Sequence, residues 1–147
     1  MTMQRPIDTQ NADFVSMQEL GFERPERSSA LMSCSPDCIK LLCPEGRITY
    51  MSHNGRCAME ICDLALVLGA DWWVLWPEQH HGLIQSAIAE ARAGRTANFI
   101  ADCPTAGGRE ARWDVTVQGI FDNSGTLYEF MAVSRETHED TRPLSSI

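Results

Sequence analysis

Ser35–Asn54 reads SPDCIKLLCPEGRITYMSHN. Two short runs rich in Ile, Leu, Tyr and Thr, Cys38–Cys43 and Arg47–Met51, flank Pro44-Glu45-Gly46. Proline fixes φ and glycine admits φ > 0, so the triplet predicts a tight turn joining two strands. Ser52 or Asn54 supplies a cap for the helical segment that follows, with Ala58, Met59, Ile61 and Cys62 as its apolar side.

Beyond this hairpin, Leu64–Leu68 is a short apolar turn stopped by Gly69. Asp71–Glu78, DWWVLWPE, holds three of the four tryptophans. Pro77 suits the first turn of a helix and Glu78 its positive end. Leu83, Ile84, Ala87, Ile88 and Ala91 form one apolar stripe, which predicts a helix running to about Ala93, with Arg92 in its last turn and Gly94 past its end. Three strands follow, at Ala97–Cys103, Glu110–Phe121 and Thr126–Arg135. The loops between them are Pro104–Gly108 and Asp122–Gly125. The order β-β-α-α-α-β-β-β predicts an α+β domain with a five-stranded antiparallel sheet and connecting helices on one face. This domain spans 28–139. Residues 1–27 form an extension with a short helix over Asn11–Leu20, and 140–147 a polar tail.

The chain has 147 residues, which fits one domain plus tails. A net charge of −8, with eleven arginines and one lysine, excludes an electrostatic grip on nucleic acid or on anionic membranes. Met1–Gln10 lacks the apolar core of a signal peptide, and no run approaches the roughly 18 apolar residues of a membrane span. The expectation is a cytoplasmic protein. The six cysteines contain no CxxC pair, so zinc-knuckle and redox-pair patterns fail. They read as reduced, small apolar residues.

Four stretches in this order resemble the PAS domain, the bacterial sensory-box family. They are the opening hairpin, the Leu68-Gly69…Leu75-Trp76-Pro77-Glu78 entry to the long helix, CPTAGGREARWDVTV at Cys103–Val117, and FMAVSRET at Phe130–Thr137. The resemblance implies a sensory and regulatory module, not an enzyme. It would bind a small molecule in a cavity, form a homodimer, or serve as the sensory part of a protein such as a two-component histidine kinase, with a downstream signalling partner. Glu136 stands where the family's closing segment usually has Asp, the residue that helps anchor the exit to the output element. Ser52 stands where the family commonly has Asn.

The candidate ligands follow from the resemblance. Counted from Gly69, Trp72 falls where light-sensing relatives carry the cysteine that adds to flavin; an indole cannot do so, which argues against covalent flavin photochemistry. His81, in the first turn of the long helix, is the candidate haem ligand of a gas or redox sensor. Trp72 and Trp76 are candidate cavity walls. On the fourth strand Trp113, Val115 and Val117 alternate with Asp114 and Thr116. Two readings stay open. Alternation alone sends the apolar set to the core; the family places the positions of Asp114, Thr116 and Ser134 in the cavity and leaves the apolar set on the outer face, covered by Phe14, Met17 and Leu20 or by a second subunit. A ligand-free protein–protein interaction domain is the further alternative. Asp71 and Asp114 have no nucleophile–base pair beside them that would make an acid–base centre.

Overall fold

The computed structural model describes residues 30–31 and 34–147. The unit that carries the sheet is Pro36–Ile147. The expected helix over Asn11–Leu20, with Phe14, Met17 and Leu20, lies outside the described residues.

The hairpin forms where the turn chemistry places it. Strand β1 is Cys38–Leu42 and β2 is Ile48–Met51. Gly46 closes the turn with φ 86°, and a side chain there would also press on the Trp73 ring. Helix α1, His53–Met59, is capped by Ser52, whose Oγ accepts from the Gly55 amide at 3.1 Å. Gly55 lets α1 lie directly on β1, since a Cβ there would sit 2.8 Å from the Cys38 Cα. The helix stops at Glu60, which adopts the left-handed conformation at φ 59°.

The tryptophan segment is not one helix with its neighbour. Leu64–Leu66, Trp72–Leu75 and Glu78–His80 are 3-10 turns, and the regular helix α2 begins only at His81 and runs to Arg92. Its buried side is Ile84, Ala87, Ile88 and Ala91. Leu83, counted in the expected stripe, is only half-buried at its edge.

Strands β3 (Ala97–Asp102), β4 (Arg112–Phe121) and β5 (Leu127–Glu136) follow, and then a sixth, β6 (Arg142–Ser146). The sheet is antiparallel throughout, in the order β2-β1-β5-β4-β3-β6. The expected five-stranded sheet is therefore six-stranded. The residues read as a polar tail pair with the free edge of β3, Ala97 opposite Ser146 and Ile100 opposite Arg142. An edge strand tolerates Pro143 and needs no alternation, because only Leu144 touches the core.

The faces of β4 follow its alternation. Trp113, Val115 and Val117 are buried on the inner face with Phe99, Phe130, Ala132 and the apolar side of α2. Asp114 and Thr116 stand on the outer face. This corrects the family-derived alternative: Val115 has no exposed surface to offer a partner. Burying one Trp and two Val removes far more apolar area from water than Asp114 and Thr116 would, and that area sets the register.

Candidate functional site

The inner face of β1 presents Cys38, Lys40 and Leu42, because successive residues of a strand point to opposite faces. Lys40 is the one lysine of the chain, and it is 2% exposed. Its Nζ donates to Cys38 Sγ at 3.0 Å and lies 6.0 Å from the centre of the Trp72 ring. Among the described residues it makes no ion pair. Beside it on β5 is Ser134, 3% exposed and paired in register with Cys38 on one side and Val115 on the other.

These two polar side chains border an interior cavity of about 10 Å³, the space of a single water. Met59 from α1 and Trp72, Leu75 and Trp76 from the 3-10 segment form its outer wall, with Cys103 and Trp113 behind. The wall is aromatic and edge-packed: Trp72 meets Trp76 at 6.4 Å between ring centres, and Trp76 meets Phe99 at 5.7 Å. Trp113 Nε1 donates to the Cys103 carbonyl at 2.9 Å, which fixes the back of the cavity. Burial pushes the Cys103 thiol up to about 11, and the Lys40 ammonium draws it down by less.

Trp72, Trp76 and Ser134, named from the sequence as cavity lining, come together here. Asp114 and Thr116 do not. They lie on the opposite face, where Asn98 Nδ2 donates to Asp114 Oδ1 at 2.8 Å and to Thr116 Oγ1 at 3.1 Å. Arg142 of β6 hydrogen-bonds to the Asn98 Oδ1 and approaches Asp114 at 3.8 Å. These side chains are committed to one another across β4, β3 and β6.

His81 is likewise committed. Its Nε2 donates to the Trp76 carbonyl at 2.9 Å, tying α2 to the end of the tryptophan turn, and it does not border the cavity. A space of about 10 Å³ fits neither haem nor flavin, which need several hundred. Among the described residues no three His, Cys, Asp or Glu side chains cluster as metal ligands.

Lys40 is the site residue that sequence reasoning missed. Alternation in Cys38-Ile39-Lys40-Leu41-Leu42 does place it with Cys38 and Leu42. A charged residue in an apolar strand reads as the outward-facing one, and here Ile39 and Leu41 take the outer face instead.

A second arrangement holds the end of β5. Arg109 grips Glu136 with two bonds, 2.7 and 3.2 Å, and reaches Glu60 at 3.0 Å. Thr105 Oγ1 donates to Glu60 at 2.7 Å. The Thr105 hydroxyl, and then Arg109, hold the Glu60 carboxyl below its ordinary value; Arg109 does the same for Glu136. Glu136 thus ties the end of β5, through Arg109, to the cap of α1 and the β3–β4 loop.

Comparison with known proteins adds the family. The model of the family described as PAS fold matches residues 33–142. The chain is similar in structure to the PAS domain of an HTR-like protein from Haloarcula marismortui, with TM-score 0.64 and 23% identity, covering 78% of this chain and 98% of that one. It is also similar to the PAS domain of a protein from Colwellia psychrerythraea, with TM-score 0.67, 11% identity and coverage of 77% and 96%. A third neighbour is VqmA bound to DPO, with TM-score 0.63, 10% identity and coverage of 78% and 58%. No curated protein matches by sequence. No helix among the described residues is long and apolar enough to cross a membrane. A hairpin packed under α1, a tryptophan turn leading into α2, and an antiparallel sheet closed by β5 are the parts of one fold, and the chain belongs to the PAS fold family, as a sensory module that is not an enzyme.

Proposed function

We propose that this module senses a small molecule in the interior cavity between the tryptophan turn and the sheet. The observation that carries this reading is the pair Lys40 and Ser134, buried in a wall that is otherwise apolar or aromatic. Packing alone favours apolar residues at such positions, and a buried ammonium weakens a core unless something compensates it. The cavity is nearly closed, so occupancy requires side chains such as Met59, Leu75 or Trp76 to move. A ligand then favours one packing over another to the extent that it binds the two unequally. The Arg109 link gives the output a route, since Glu60 borders α1 and Glu136 ends β5. VqmA, of the same fold, is known in a complex with DPO, which supports a bound ligand for this module without naming it.

Association through the outer face of the sheet is a second reading. Ile39 lies opposite Val133 and Leu41 opposite Met131, which gives β1 and β5 a half-buried apolar strip suited to a homodimer or a signalling partner. On either reading the module is a cytoplasmic unit of bacterial signal transduction, such as the sensory part of a two-component histidine kinase, with the domain expected over 28–139 extended by β6 and an extension ahead of it.

The test is tryptophan emission during titration with a collection of small metabolites. Wild type should respond saturably to at least one compound. Ser134→Leu, which fills the cavity, should abolish that response while still unfolding cooperatively. A wild-type protein that responds to none, or a filled variant that responds as wild type does, would contradict the interior-sensor reading.

A further inference from the structure

We propose that the cavity beside Lys40 takes a small monovalent anion, of the size of a halide, nitrite or formate. This rests on the reading of the cavity as a ligand site and names the chemistry it selects.

An ammonium has three donors and no acceptor. Lys40 is 2% exposed, and its one hydrogen bond among the described residues goes to the sulfur of Cys38 at 3.0 Å, a weak acceptor. Among the described residues no carboxylate borders the cavity. A buried positive charge is thus left without a counter-charge among the described residues.

Donors without partners among the described residues surround Lys40. The Ser134 hydroxyl makes no hydrogen bond among the described residues, and neither does the indole N–H of Trp72 or of Trp76. All three side chains border the same space and are at least nine-tenths buried. The Cys103 thiol already points to the carbonyls of Leu75 and Pro104, at 3.4 and 3.5 Å. The lining therefore offers donors in excess of acceptors, and an acceptor with negative charge satisfies both the hydrogen bonds and the ammonium. A water could accept a bond but leaves the charge uncompensated.

About 10 Å³ holds one water-sized particle, so a halide enters with little rearrangement and a two- or three-atom oxyanion with a modest one. A dicarboxylate or a nucleotide would have to rebuild the tryptophan wall. The protein as a whole carries −8, so an anion is drawn by this local charge and not by the general field.

A single lysine makes the test site-specific. The whole chain, labelled with 13C-lysine, gives one Cε–Hε signal, which is followed by NMR during titration with sodium bromide and sodium formate. Sodium sulfate, too large for the cavity, holds the ionic strength constant. The expected result is a saturable shift of that signal with bromide or formate. A rise in thermal midpoint of roughly 5–10 °C should accompany it at about a hundred-fold excess over Kd. Lys40→Met, which keeps the side-chain volume, should still unfold cooperatively and lose the thermal response. In crystals soaked in bromide, the anomalous signal should fall beside Lys40 Nζ. A lysine signal that drifts with salt as it does in sulfate, or a thermal response retained in Lys40→Met, would overturn the proposal. If neutral polar compounds shift the lysine signal and anions do not, the anion is wrong and the cavity reading stands. If nothing shifts it, both fall.

Discussion

On the outer face of the sheet Asn98, Asp114, Thr116 and Arg142 hydrogen-bond among themselves across three strands. On the inner face Lys40 and Ser134 share a single bond, to a sulfur. The outer group is half in solvent and well partnered; the inner group is buried and, among the described residues, poorly partnered. Low dielectric strengthens a satisfied polar group and penalises an unsatisfied one. The outer cluster therefore reads as structure, stitching β6 onto the sheet. The inner pair weakens the fold as it stands, which is the pattern expected where stability has been traded for binding.

Breaking the outer cluster tests the first half of that comparison. Asn98→Ala removes the donor shared by Asp114, Thr116 and the Val115 carbonyl. It should lower stability by about 1–2 kcal/mol in urea denaturation, the usual result of leaving partly buried polar groups unpaired. A loss under about 0.5 kcal/mol would mean that water replaces Asn98 freely and that the cluster is not structural.

Acid should produce a smaller, local effect at the sheet edge. Glu90 accepts from Ser146 of β6 at 2.6 Å and from Arg95 at 2.7 Å, and these bonds, Arg95 first, lower its carboxyl from 4.5 to about 2. A group whose folded value is depressed stabilises above its ordinary value and loses that contribution as pH falls through the folded one. Between about pH 4.5 and 2, hydrogen exchange at the Thr96 and Ile147 amides, which pair beside β6, should accelerate relative to the β4–β5 ladder. Uniform acceleration across the sheet would show that Glu90 does not hold the edge.

The α+β order, the hairpin, the amphipathic side of α2 and the alternation of β4 were legible because each rests on a periodic apolar pattern or on turn chemistry. β6 was not: Arg142-Pro143-Leu144-Ser145-Ser146 has no such pattern, and its pairing is fixed by the open edge of β3. Pro77 and Glu78 satisfy the rules of a helix start equally well in a 3-10 turn, so the sequence alone places the start of α2 too early. Of the site, Trp72, Trp76 and Ser134 were legible as cavity lining only by resemblance, and resemblance also misplaced Asp114 and Thr116 against the simpler alternation. Lys40 escaped because burial of a charge contradicts the rule by which charges are read. Only the burial pattern of β1 reveals that Ile39 and Leu41 face outward while Lys40 shares the inner face with Cys38 and Leu42.

The most direct test of the central claim, that Lys40 serves ligand binding and not the fold, is the stability of Lys40→Met measured by urea denaturation in sulfate buffer. The variant should be as stable as wild type or more stable, by up to about 4 kcal/mol, because an uncompensated buried charge gives way to an apolar side chain of similar volume. A variant less stable than wild type by more than about 1 kcal/mol would contradict it, since the lysine would then be a support of the core through Cys38 and Trp72.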